Sequence, residues 1–243
     1  MNKKIILFAL SFAAVAQLWA QSDDKSRIPL LGEEAPVFTA QSTNGTIKFP
    51  NDFGRKWKVL FSHPADFTPV CTSELMSLAL LQKDFNDLNV SLVVISTDSL
   101  YIHSLWVKSM EEMMSKNNNP VKINFPLVDD SRHTVGWKYG MFTASNESFK
   151  AQRGVFIVDP QNKIRAVTFY PINVGRNMDE IKRTVIALQT ADNNTVLMPA
   201  NWKPGDDVLL PYPNSADHYS SNYVQEPGSY DLSWYMLFKK LDK

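Results

Sequence analysis

Cys71 is the only cysteine of the chain, and the stretch around it, Phe61 to Phe85, reads F-S-H-P-A-D-F-T-P-V-C-T-S-E-L-M-S-L-A-L-L-Q-K-D-F. Thr68 followed by Pro69 predicts a helix start, because a threonine hydroxyl can cap free backbone N–H groups and proline has no N–H to lose at the first helical position. Leu75, Leu78, Leu81 and Leu88, with Met76 and Phe85 between them, form an apolar stripe wide enough to bury one helix face. Cys71 then falls in the first turn, at the positive end of the helix dipole, where a thiolate is favoured over a thiol and the thiolate is the nucleophile. A lone cysteine is more often a small buried hydrophobe than a nucleophile. Two prolines and a threonine stiffening the approach to a helix start reverse that preference.

Pro64, Thr68 and Cys71 form P-x-x-x-T-x-x-C, which resembles the active-site signature of the peroxiredoxins, thiol peroxidases on a thioredoxin-like fold. The wider F-S-H-P-A-D-F-T-P-V-C-T-S-E resembles their one-cysteine subfamily. Two further segments carry the same resemblance, R-G-V-F-I-V-D-P at Arg153–Pro160 and Y-P-I-N-V-G-R-N-M-D-E-I at Tyr170–Ile181, and the similarity runs from Leu31 to Leu210. The resemblance implies a catalytic set of Cys71, Thr68, Arg153 and Pro64, with Pro64 shielding the sulfur. It also implies supporting roles for His63, which would tune the thiolate or bond the sulfenic product, and for Glu74, which would orient an arginine. Arg176 would be that arginine or a second one.

The implied reaction is attack of the thiolate on the terminal oxygen of a hydroperoxide, cleavage of the O–O bond, and departure of water or an alcohol from a cysteine sulfenic acid. A thiol with an ordinary pKa of about 8.5 is about 3% ionised at pH 7, so complete ionisation gains only roughly 30-fold, about 2 kcal/mol. The larger share must come from groups that orient the peroxide and stabilise charge on the leaving oxygen. The Thr68 hydroxyl, the backbone N–H groups of Val70 and Cys71, and the permanent charge of Arg153 are suited to that work. A phospholipase activity of animal one-cysteine relatives needs a G-x-S-x-G serine; the corresponding stretch here, Asn51 to Trp57, is N-D-F-G-R-K-W and has none. No second cysteine exists to resolve the sulfenic acid, so the reductant is expected to be an external thiol.

Other chemistries are poorly served. The four histidines, His63, His103, His133 and His218, lie far apart in sequence, so no metal cluster is expected; no phosphate loop or dinucleotide fingerprint suggests a cofactor. The position three residues after Cys71 is Glu74, so the C-x-x-C pair of thiol–disulfide exchange is absent. A redox-responsive holdase or sensor using the same cysteine is the alternative to a peroxidase.

The N-terminus reads as a secretory signal over residues 1–20: M-N-K-K, an apolar run from Ile5 to Ala16, and small residues that allow cleavage after Ala16 or Ala20. The run is shorter than the roughly 20 residues of a spanning helix. Export to the periplasm or beyond, without stable membrane insertion, is the expectation. The chain has 25 basic and 25 acidic residues; removal of Lys3 and Lys4 leaves 23 against 25, a net charge of −2 that offers no footprint for nucleic acid.

Strands are expected at Thr46–Phe49, Trp57–Ser62, Val90–Ser96, Phe125–Asp129, Gly154–Val158 and Lys163–Tyr170, the last two joined as a hairpin through Asp159–Asn162. Helices are expected behind Cys71, from Leu100 to Met114 with Ser99 as cap, from Ser131 to Tyr139 closed by Gly140, and after Asn177, whose spacing to Glu180 resembles a capping box. Thr143 to Ala151 reads as a loop. Strands alternating with helices and closed by a hairpin describe an α/β fold, a mixed sheet flanked by helices, in agreement with the thioredoxin-like fold of the resemblance. This domain is expected over residues 29–192. Residues 193–243, rich in proline, glycine and tyrosine, read as a loop-rich C-terminal extension, with the aromatic Ser233–Phe238 packed. Similar family members use this region in dimer contacts, so a homodimer or higher homo-oligomer is expected.

Overall fold

The computed structural model describes residues 27–142, 150–211 and 227–241. The expected signal segment, residues 143–149 of the expected loop, and residues 212–226 and 242–243 of the C-terminal extension lie outside the described residues. A seven-stranded sheet runs in the order β2-β1-β5-β4-β3-β6-β7. Its strands are β1 (Phe38–Ser42), β2 (Gly45–Phe49), β3 (Trp57–Ser62), β4 (Val90–Ser96), β5 (Leu127–Asp129), β6 (Arg153–Val158) and β7 (Ile164–Tyr170). β3, β4 and β5 are parallel neighbours; β6 pairs antiparallel with β3 and with β7, and β1 pairs antiparallel with β2 and β5. Among the described residues four α-helices accompany the sheet: α1 (Pro69–Asp87), α2 (Leu100–Lys116), α3 (Thr134–Lys138) and α4 (Met178–Asn194).

Alternation along the central strands builds two cores. Trp57, Val59 and Phe61 of β3, Leu92 and Val94 of β4, and Val155 and Ile157 of β6 face Leu75, Leu78 and Phe85 of α1, Trp106 and Met110 of α2, and Ile181 and Val185 of α4. Leu60, Val93, Ile95, Phe156 and Val158 point the other way, against Phe38, Phe49, Val135 and Tyr139. Both faces of β3 and β4 are thus covered, which is why these strands read as near-continuous apolar runs. Among the described residues no helix is long and apolar enough to cross a membrane.

Several local expectations shift. β1 was not anticipated; it forms because F-T-A-Q-S folds back through a turn onto the strand that was. β5 begins only at Leu127, after Pro126, which has no N–H to give a ladder. α3 is shortened to Thr134–Lys138 because its N-cap, His133, is left-handed, and the Asp130 carboxylate accepts from Val135 and Gly136 N–H. Ser99 stands at the N-cap of α2 without a side-chain cap bond; Asp129 Oδ2 accepts from Leu100 N–H instead. Asn177 does cap, its Oδ1 accepting from Glu180 N–H at 3.1 Å. The C-terminal extension is more than loop: β8 (Val208–Leu209), β9 (Ser229–Ser233) and β10 (Met236–Lys239) form a small antiparallel sheet in the order β8-β10-β9. Ser233–Phe238 contains the turn of its hairpin rather than one packed segment.

Candidate active site

The carboxyl ends of β3 and β4 and the beginning of β6 meet at one edge of the sheet, where open α/β folds place their ligands. β3 delivers Ser62 and His63, a loop from Pro64 to Thr68 follows, and α1 begins at Pro69. Three bonds hold that loop. Asp98 Oδ2 accepts from Asp66 N–H at 2.8 Å, the Thr68 hydroxyl donates to Ala65 O at 2.8 Å, and Thr68 O accepts from Thr72 N–H at 2.9 Å. Phe67 between them has φ of 55°, a left-handed conformation that a non-glycine residue holds only when its surroundings impose it.

Thr68 is the N-cap residue, but its hydroxyl does not cap. It is turned back to Ala65, so the sequence expectation of a side-chain cap is corrected. The consequence favours chemistry: Pro69 has no N–H, the first intrahelical bond is that of Thr72, and the N–H groups of Val70 and Cys71 precede it. With its proton committed to Ala65, the Thr68 oxygen has only lone pairs to offer, so it accepts from an incoming O–H rather than donating.

Cys71, in the first turn of α1, and His63 are fully buried, and Pro64 is buried. Arg153, the first residue of β6, donates from Nη1 to the sulfur at 3.3 Å and to Glu74 Oε2 at 2.7 Å, and both Nε and Nη2 reach Ile172 O. Arg176 grips the same Glu74 by a fork, Nε to Oε1 at 2.9 Å and Nη2 to Oε2 at 2.8 Å, with its backbone N–H adding a third bond at 2.8 Å. Its Nη1 donates to Ser62 O and Gly154 O, and the guanidinium lies 4.6 Å from the Phe61 ring centre. Burial pushes the Glu74 carboxyl upward, but the Arg176 hydrogen bonds and the charges of Arg176 and Arg153 outweigh it and hold it below the ordinary range. Gly154 lets β3 and β6 approach here, since a Cβ would stand 3.0 Å from Ser62 Oγ and 3.1 Å from the rings of Phe156 and Phe169.

All seven residues proposed from sequence therefore converge on one end of the β3–β6 pair. Sequence reasoning missed Asp66 and His103. Asp66 Oδ1 lies 2.7 Å from His63 Nε2 and Oδ2 2.7 Å from His103 Nδ1, so two histidines forty positions apart share one buried carboxylate. The available signal was Asp66 inside the signature stretch, three residues from His63. Nothing local pointed to His103, on α2.

The same fact revises the expectation that the histidines stay apart. Among the described residues one group has ligand atoms close enough for a metal ion, His63, Asp66 and Asp98. In this structure its carboxylates already accept hydrogen bonds, Asp66 from both histidines and Asp98 Oδ2 from Asp66 N–H and the Ser96 hydroxyl.

Residues 31–167 match the AhpC/TSA family and residues 187–223 match the C-terminal domain of 1-Cys peroxiredoxin. A peroxiredoxin of Methanosarcina mazei is 46% identical over 215 residues, covering 88% of this chain and 98% of its own. Among solved structures, a yeast mitochondrial 1-Cys peroxiredoxin superposes with a TM-score of 0.75 at 36% identity, over 88% of this chain and all of that one. Peroxiredoxin 6 of Arenicola marina gives 0.74 at 31% identity, over 88% and 99%. A buried single cysteine under an arginine, at the start of a helix on a thioredoxin-like sheet, and relatives that agree over nearly their whole length, place the chain in the peroxiredoxin family, in its one-cysteine form.

Proposed function

We propose that Cys71 is the peroxidatic residue of this thiol-dependent peroxidase and that the two arginines over Glu74 are built around its thiolate. The observation that carries the reading is charge. Two buried guanidinium groups share one buried carboxylate, and the remaining positive charge rests on the Cys71 sulfur through Arg153. Burying an unbalanced cation is costly, and a thiolate balances it.

The thiolate attacks the distal oxygen of the peroxide. An S–O bond forms as the O–O bond breaks, sulfur is oxidised to the sulfenic acid, and the departing oxygen leaves with the electron pair and takes a proton as water or alcohol. Arg153 holds the negative charge while it moves from sulfur to the leaving oxygen. Thr68 accepts the peroxide O–H, and the N–H groups of Val70 and Cys71 bind the oxygens. Glu74 and Arg176 fix Arg153 without touching the reacting atoms, and Pro64 keeps bulk water from the sulfur.

With one cysteine, the sulfenic acid is reduced by an external thiol; the yeast relative is described as resolved through glutathione and thioredoxin systems, and a small thiol or a thioredoxin-like partner is the reductant proposed here. The N-terminal pattern supports export with cleavage after Ala16 or Ala20, and the match of residues 187–223 to the 1-Cys C-terminal domain supports a 29–192 domain followed by a dimerising region. N-terminal sequencing of the mature chain and light scattering check these points.

The test of the central reading is the rate of Cys71 oxidation by stoichiometric hydrogen peroxide, followed by intact mass and tryptophan fluorescence. Trp106 is a suitable reporter, since its Nε1 donates to Thr72 Oγ1, beside Cys71, at 3.2 Å. Oxidation many orders faster than a free thiol, abolished by Cys71→Ser, is expected. The rate of an ordinary thiol would return the chain to a sensor or holdase role.

A further inference from the structure

The buried network of His63, Asp66 and His103 is not used by the chemistry above. Its proton positions follow from its partners. His103 Nε2 lies 3.0 Å from Val128 O and its Nδ1 lies 2.7 Å from Asp66 Oδ2. A backbone carbonyl and an ionised carboxylate can only accept, so both His103 nitrogens carry protons. His63 Nε2 faces the other Asp66 oxygen and donates to it, which leaves Nδ1 bare. Among the described residues, His63 Nδ1 is the one buried side-chain nitrogen or oxygen without a hydrogen-bond partner. Such an atom calls for a reason, and a partner that arrives during turnover is one.

The ring lies within the same buried surroundings as Cys71. His63 follows Ser62, whose carbonyl accepts from Arg176, and it packs 5.1 Å from Trp106, whose Nε1 bonds the residue after Cys71. We propose that Asp66 and His103 are a positioning pair for His63. An ionised Asp66 against a doubly protonated His103 fixes a neutral His63 with its proton on Nε2, keeping Nδ1 bare to accept the O–H of the Cys71 sulfenic acid. The inference rests on the peroxidase reading of Cys71.

The surrounding charges act in the same sense. Burial opposes the His103 cation, but Asp66 and the Val128 carbonyl, with Asp98 nearby, hold its proton above the ordinary range. Asp129, whose charge also reaches His103, lies on β5. Burial, with His103 and Arg176 as like charges, keeps the His63 proton count low despite Asp66.

Long-range proton–nitrogen correlation spectra of the reduced wild-type protein, labelled with 15N-histidine, test the pattern from about pH 6 to about pH 8, where an ordinary histidine changes charge. His103→Gln and His63→Gln assign the signals. His103 protonated on both nitrogens throughout and His63 protonated on Nε2 alone are expected; a His103 that loses a proton in this range, or a His63 protonated on Nδ1, overturns the proposal. In Asp66→Asn the lifetime of the sulfenic acid before a second oxidation should shorten by roughly tenfold, with a smaller loss in the rate of the first oxidation. Equal losses in both would mark Asp66 as a structural brace of the Pro64–Thr68 loop and overturn the positioning role. Wild-type oxidation at the rate of a free thiol would defeat the peroxidase reading, and with it the acceptor role of Nδ1, whatever protons the spectra locate.

Discussion

Strands β3 and β6 lie side by side, and each end of the pair carries a cluster of charge. At the far end Lys58 is buried and donates to Asn162 Oδ1 at 2.6 Å, while Arg165 forks onto Asp192 at 2.6 and 2.8 Å and reaches Asp159. Two cations meet two carboxylates there, and the Arg165 and Asp192 side chains are 27% and 41% exposed. At the near end two arginines meet a single carboxylate, none of the three side chains is more than 2% exposed, and a cysteine completes the set. The balanced, wetter cluster ties the hairpin and α4 together. The unbalanced, dry one leaves an excess of positive charge beside Cys71, and that imbalance distinguishes the proposed reaction centre from a brace.

The sharpest way to break the comparison is to neutralise each carboxylate in turn. Glu74→Gln leaves two guanidinium groups buried without their counterion and should cost about 3–5 kcal/mol in urea unfolding. Asp192→Asn, half in solvent, should cost about 0–1 kcal/mol. Equal costs would mean that the near end is only another brace. Next in size, Arg153→Ala should slow Cys71 oxidation in stopped flow by about 10²–10³-fold, the loss typical of a donor aimed at developing charge, whereas Arg165→Ala should show no such loss. Thr68→Val should slow oxidation by about tenfold to a hundredfold, the worth of one hydrogen bond to a reacting group. Because its hydroxyl does not cap α1, it should lose less stability than Asn177→Ala, which removes a cap worth about 1 kcal/mol.

The smallest effect is in the pH dependence of stability. The folded Glu74 carboxyl titrates below its unfolded value, so its contribution is fully present above about pH 4.3 and is lost as pH falls through the lower folded pKa. The advantage of wild type over Glu74→Gln should therefore shrink on acidification below that range. Asp66, held low by both histidines against its burial, titrates in the same direction, so the difference between the two proteins isolates Glu74. An advantage that grew on acidification would reverse the sign assigned here.

Much of the frame could be read directly. β3 and β4 fall on Trp57–Ser62 and Val90–Ser96, where the apolar runs lie, and α1 buries Leu75, Leu78 and Phe85 as the stripe requires. The hairpin of β6 and β7 turns at Asp159–Asn162 as its composition implies. β1 was illegible because F-T-A-Q-S has little pattern until β2 and β5 supply its ladder, and β8 to β10 because two- to five-residue strands carry almost no periodicity. At the site, a capping threonine and one whose hydroxyl turns back to Ala65 have the same sequence.

The order of residues along the chain determined that one cysteine opens a packed helix after a stiff loop, and that no second cysteine can resolve it, because caps, prolines and apolar periods act between near neighbours. Tertiary structure alone decided which charges meet. Cys71 and Arg153 are 82 positions apart, and Glu74 and Arg176 are 102. His103 reaches Asp66 only because α2 packs beside the loop that leaves β3. A fork of arginines on one buried carboxylate, and a histidine whose proton is set by a second histidine, exist only once the sheet has brought those strand ends together and excluded water from between them.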